Sequence, residues 1–101
     1  MITVQILFTK KDEAQKALDY LLEERLFYGG YLQMIENWKR QKKLPKYSFN
    51  CMLIGLTRSV VYNKVLTFLE NKFSGTDYIA YTSPVLNISG KHEDLLKKEV
   101  D

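Results

Sequence analysis

The chain opens on a strict alternation. Ile2, Val4, Ile6 and Phe8 fall on one side, and Thr3, Gln5 and Thr9 on the other. A period of two with one apolar side predicts a half-buried strand over 2–9. From Asp12 the period changes. Ala14, Ala17, Leu18, Leu21, Leu22 and Leu26 recur at helical spacing, with Lys16, Asp19, Glu23 and Glu24 opposite them. That is an amphipathic helix of about four turns, opened by an acidic residue that suits the positive end of the helix dipole. Gly29-Gly30 is expected to stop it, because glycine takes the left-handed cap conformation without strain.

Tyr31 to Trp38 alternates again and predicts a second strand. The basic, proline-broken stretch from Lys39 to Lys46 reads as a hairpin connection. Tyr47 to Thr57 is uncharged throughout and predicts a central third strand. A second helix is expected from Arg58, with Ser59 as its N-cap and Val61, Val65, Phe68, Leu69 and Phe73 along one stripe. Ser74-Gly75 ends it. Tyr78 to Ser83 predicts a fourth strand limited by Pro84, and 92–100 a short charged C-terminal helix carrying Leu95 and Leu96. The order βαββαβ predicts an α+β fold, a ferredoxin-like sandwich in which a four-stranded antiparallel sheet carries both helices on one face. Residues 1–101 read as a single domain.

The strands are apolar on both sides. Leu7 lies opposite Phe8, Leu32 and Met34 opposite Tyr31 and Ile35, Met52 and Ile54 opposite Cys51 and Leu53, and Ile79 opposite Tyr78. Helices cover one face only, so the other is expected to be covered by a second subunit, making the protein a homo-oligomer.

Composition narrows the class. Of 101 residues, 46% are hydrophobic and 27% charged, which excludes a disordered chain and fits one small core. The longest uncharged run, Tyr78 to Gly90, contains Pro84, Asn87 and Gly90, and it falls short of the roughly 20 apolar residues a spanning helix needs. No basic-then-apolar leader precedes the first strand, and the single cysteine cannot pair within the chain, so a cytoplasmic, non-membrane protein is expected.

The charge is unevenly placed. Net charge is +3, yet no acidic residue occurs between Asn37 and Leu69, a stretch holding seven of the 15 basic residues. Two readings stand side by side. The stretch is an anion site flanked by Trp38 and Tyr47, or a solvated hairpin tip whose charge discourages edge pairing. No aromatic RNA-binding signature and no GxxG clamp is present, so nucleic acid is not the expected partner.

Reactive residue types are few. Cys51 in mid-strand reads as a small core residue, His92 as a surface or helix-start residue, and adjacent Glu23 and Glu24 as a solvated helix face. One Cys and one His make no soft-metal site within one chain, and no Walker or GxGxxG loop occurs. No catalytic residue, metal or cofactor is expected, and hence no enzyme.

Several short stretches, in order, resemble the CutA (CutA1) divalent-cation-tolerance family. They are the opening strand ending in Phe8-Thr9, then Leu22-Glu23-Glu24-Arg25-Leu26, which is similar to the family's "EERLAACVNI". Ile35-Glu36-Asn37-Trp38 resembles "IYRW", and Met52 to Arg58 resembles "LLIIKTR". Tyr78-Ile79-Ala80 through Pro84-Val85 resembles "PEIIALPI". The family's cysteine falls at Gly29 and its histidine within Lys72 to Asp77, which holds no His, so no metal ligands carry over. The resemblance implies a non-enzymatic homotrimer, kinship with the PII-like signalling fold, and a role in divalent cation tolerance or small-ligand sensing. Its candidate site is the inter-subunit cleft. There Trp38 and Thr57 match family positions, Arg58 follows directly, and Lys39 and Arg40 could attract a small anion. Interface packing is the other reading of Trp38. The alternative function is a PII-like regulatory module that binds a nucleotide or other anion at the subunit interface.

Overall fold

The structure is a computed structural model that describes residues 1–35 and 49–85, together with Leu95, Lys98 and Val100. In chain order the elements are β1 (Ile2–Phe8), α1 (Lys11–Glu23), β2 (Gly29–Met34), β3 (Cys51–Thr57), a short 3-10 turn (Ser59–Val61), α2 (Tyr62–Lys72) and β4 (Tyr78–Pro84). The strands form one sheet in the order β2-β3-β1-β4, and every neighbouring pair is antiparallel. β1 and β2 thus flank β3, and β3 and β4 flank β1, which is the ferredoxin-like split βαβ arrangement.

Alternation decides which side of the sheet meets the helices. Val4, Ile6 and Phe8 of β1 and Cys51, Leu53 and Thr57 of β3 are buried on one side. Against them pack Ala14, Ala17, Leu18 and Leu21 of α1 and Val65 and Leu69 of α2, with Val61 from the turn before it. Phe8 meets Phe73 edge-on at 5.8 Å between ring centroids, and Phe68 lies 5.9 Å from Phe73. Val100, near the end of the chain, is 2% exposed in the same core. Leu95 and Lys98 are helical, as expected of the C-terminal segment; Leu96 and most of that segment lie outside the described residues.

Two turn expectations are corrected. Gly29-Gly30 does not cap α1. The helix ends at Glu23, and Arg25 (φ 59°) is the residue that turns the chain, while no described glycine has a positive φ. Leu26 and Phe27 both donate their N–H to the Leu21 carbonyl, so backbone hydrogen bonds hold Arg25 in the left-handed region that an L-residue otherwise avoids. The glycines instead begin β2, which therefore starts before Tyr31; Glu36 to Trp38 lie outside the described residues. Gly30 pairs with Gly55 of β3, and their reason is closeness. A Cβ on Gly55 would collide with the Phe27 ring, and one on Gly30 would lie 2.9 Å from Leu18 Cδ1.

Ser59 is likewise no side-chain cap. Arg58 holds the cap position of the 3-10 turn and Val61 that of α2, neither with a side-chain cap bond. Val61 N–H donates to the Arg58 carbonyl at 3.0 Å, so a tight backbone turn does the work and drives Val61 into the core.

Strand limits also shift. Paired β3 starts at Cys51 rather than further upstream; Asn50 only prolongs the ladder, donating to the Phe8 carbonyl and accepting from Ile35 N–H. At the other end β4 runs on to Pro84 at an outer edge of the sheet, where a residue without an N–H costs no ladder bond.

Candidate functional site

The side of the sheet away from the helices carries three cross-strand rows. Directly opposed residues of an antiparallel pair point the same way, so the register assembles each row. The middle row runs Tyr31, Ile54, Gln5, Tyr81 from β2 to β4. On one side of it lie Gln33, Met52, Leu7 and Ile79, and on the other Gly29, Leu56, Thr3 and Ser83. Aromatic or aliphatic side chains come from all four strands, as the two-sided strand pattern predicts. Among the described residues nothing covers them: Tyr31 is 57% exposed, Ile79 48% and Tyr81 42%.

Gln5 sits in the middle of this apolar field. Its Nε2 donates to Ser83 Oγ at 3.4 Å, while its Oε1 is buried without a partner among the described residues. Thr3 Oγ1 donates to the Ser83 carbonyl at 3.4 Å, and Tyr81 donates weakly to Met52 Sδ at 3.8 Å. The significance of Gln5 was missed in the sequence. Its place on the polar side of β1 was legible there, but its apolar neighbours come from strands paired only by the fold.

The residues expected to bind a ligand divide into two groups. Thr57 is fully buried, and its Oγ1 donates to the Leu26 carbonyl at 2.6 Å, tying the end of β3 to the turn after α1. Arg58, half-buried, follows it into the 3-10 turn. Trp38, Lys39 and Arg40 lie outside the described residues, as does Tyr47. The structure thus sets Thr57 and Arg58 side by side, with the Thr57 side chain on the helix-covered side of the sheet.

Among the described residues two titrating groups depart from ordinary behaviour, both for structural reasons. Tyr78 is pushed up to about 12 by burial, reinforced by its hydrogen bond to Glu70 Oε1 at 2.9 Å and by that carboxylate's charge. Burial pushes the Cys51 thiol up, with Lys11 opposing it. A raised thiol is a poorer nucleophile, in keeping with a core role. Among the described residues no group of three or more His, Cys, Asp or Glu gathers that could hold a metal ion.

No family model matches this sequence. No curated protein matches it either. Solved structures do. CutA1 from Pyrococcus horikoshii superposes with a TM-score of 0.83 at 16% identity, covering 100% of this chain and 99% of that one. The periplasmic divalent cation tolerance protein CutA from Archaeoglobus fulgidus gives 0.82 at 16% identity, covering all of both chains. CutA1 from Oryza sativa gives 0.84 at 15% identity, covering 99% of this chain and 93% of that one. The likeness spans essentially the full length of each chain, and the chain has the CutA1 fold.

Proposed function

We propose that the chain is a divergent member of the CutA family, that three copies assemble through the open sheet face, and that the assembly serves divalent cation tolerance or small-ligand sensing without catalysing a reaction. The observation that carries this reading is the correspondence with CutA1 structures over essentially the full length of both chains. The open face supports it. Burying Leu7, Met52, Ile54, Ile79 and the Tyr31 and Tyr81 rings would remove apolar surface from water at about 25 cal/mol per Å². In this reading the ligand cleft lies between subunits. The residues it assigns to the ligand are Arg58, which directly follows β3, with Trp38, Lys39 and Arg40.

Sedimentation equilibrium tests the assembly. A particle of about 36 kDa, three times the 11.9 kDa chain, is expected, and a monomer at micromolar concentration overturns the trimer.

A second reading is a PII-like regulatory module. It is favoured by the run from Asn37 to Leu69, which holds Lys39, Arg40, Lys42, Lys43, Lys46, Arg58 and Lys64 and no acid. Isothermal titration separates the two. ATP binding at micromolar concentration with no Cu²⁺ binding favours the regulatory module, and the absence of ATP binding removes it.

A further inference from the structure

On the helix layer, across the sheet from the open face, a cavity of about 500 Å³ opens between α1 and α2. We propose that it binds a small aromatic monoanion, a ring bearing one carboxylate or an equivalent single negative charge. The volume falls within the range of small-molecule sites.

The lining has the two halves that such a ligand needs. Tyr20 from α1 and Phe68 from α2 present rings 5.7 Å apart between centroids and inclined at 49°, above Leu26. Tyr20 is 44% exposed, and its hydroxyl has no hydrogen-bond partner among the described residues. A tilted, half-open aromatic pair leaves ring area for a third ring to stack against, edge-on or offset.

The charged half comes from the same stripe of α2. Lys64 and Lys72 bracket Phe68, four residues to either side, and both line the cavity. Their Cα atoms are about 12 Å apart along the helix, close enough for two long stems to reach one anion between them. Neither ammonium forms an ion pair among the described residues. Glu24, at the C-terminal end of α1, lines the cavity as well. Two cations against one carboxylate leave one net positive charge, which a monoanion neutralises. A second negative charge on the ligand would meet Glu24.

Benzoate is the probe, followed through the backbone amide resonances of isotope-labelled protein. Saturable shifts centred on 20–26 and 64–72 are expected, with a dissociation constant of about 1 mM or tighter. Acetate, which lacks the ring, and phenol, which lacks the charge, should bind at least roughly tenfold more weakly. In the double variant Lys64→Gln/Lys72→Gln, benzoate affinity should fall roughly tenfold or more. Both lysines are exposed, so the variant keeps its fold, checked by unchanged resonances of β1 and β3. No saturable shift in the groove, shifts centred on the sheet instead, acetate or phenol binding as well as benzoate, or a double variant that binds like the parent each overturns the proposal.

Discussion

The two faces of one sheet use the same kinds of side chain to opposite ends. On the helix side, Val4, Ile6, Phe8 and Leu53 are wholly withdrawn from water and interlock with two helices. On the other side, Leu7, Ile54, Ile79 and Tyr81 are as apolar, yet they stay in partial contact with solvent. The difference is not composition but which side the two helices of this chain cover. An apolar side chain adds fully to folding only when its partner atoms are already tethered beside it. Otherwise its burial waits for association and depends on concentration.

That contrast can be broken, most severely from the covered side. Phe8→Ala removes a fully buried ring that touches Phe73 and should cost about 3–5 kcal/mol, read from the urea midpoint. A loss under about 1 kcal/mol would mean that the covered face is not the tightly packed one. Thr57→Val keeps the shape but leaves the Leu26 carbonyl without its donor. A loss of about 1–3 kcal/mol is expected by the same measurement.

Because the Tyr78 hydroxyl ionises only near 12 in the folded chain, against about 10 when unfolded, its contribution is complete below pH 10 and is lost as pH rises towards 12. The buried Cys51 thiol, also raised, acts in the same direction. Tyr78→Phe should therefore flatten the fall in stability between pH 10 and 12, seen as a smaller drop in melting temperature; an unchanged slope would contradict the Glu70 contact. Ile79→Lys on the open face should have the smallest effect on the subunit itself, within about 0.5 kcal/mol. Its effect should appear in sedimentation as lost assembly. If the variant assembles like the parent, the open face is not the contact surface.

Much of the covered face was legible in the sequence because local periods carry it. Ile2 to Phe8 alternate, and Ala14 to Leu21 and Val61 to Phe73 repeat at helical spacing. What was not legible depends on residues distant in the chain. Gly29-Gly30 looked like a helix stop, since glycine is the cheapest left-handed residue. Arg25 takes that role because the Leu21 carbonyl collects two N–H groups, and glycine is needed at Gly30 where a Cβ would lie 2.8 Å from the Ile54 carbonyl oxygen, with Leu18 also close. Val100 in the core could not be foreseen from a terminal segment that looked charged and solvated. Of the candidate site, the apolar character of the open face could be read from alternate positions. The isolation of Gln5 could not, because only the register sets Ile54 and Tyr81 beside it. Thr57 matched a motif by position, but its hydroxyl proton is spent on Leu26.

The place of β1 between β3 and β4 bears on the order in which the molecule can form. The strand is the earliest in the chain, yet its neighbours are reached only at Cys51 and at Tyr78. A growing or truncated chain that stops short of β3 holds an apolar strand with both edges bare, an arrangement that invites pairing with other chains. Closing the sheet requires the ends of long segments to meet, which places folding towards the slower part of the range for small domains. The opening segment is thus the last to be secured, and a fragment ending before Cys51 should be the most aggregation-prone piece of this protein.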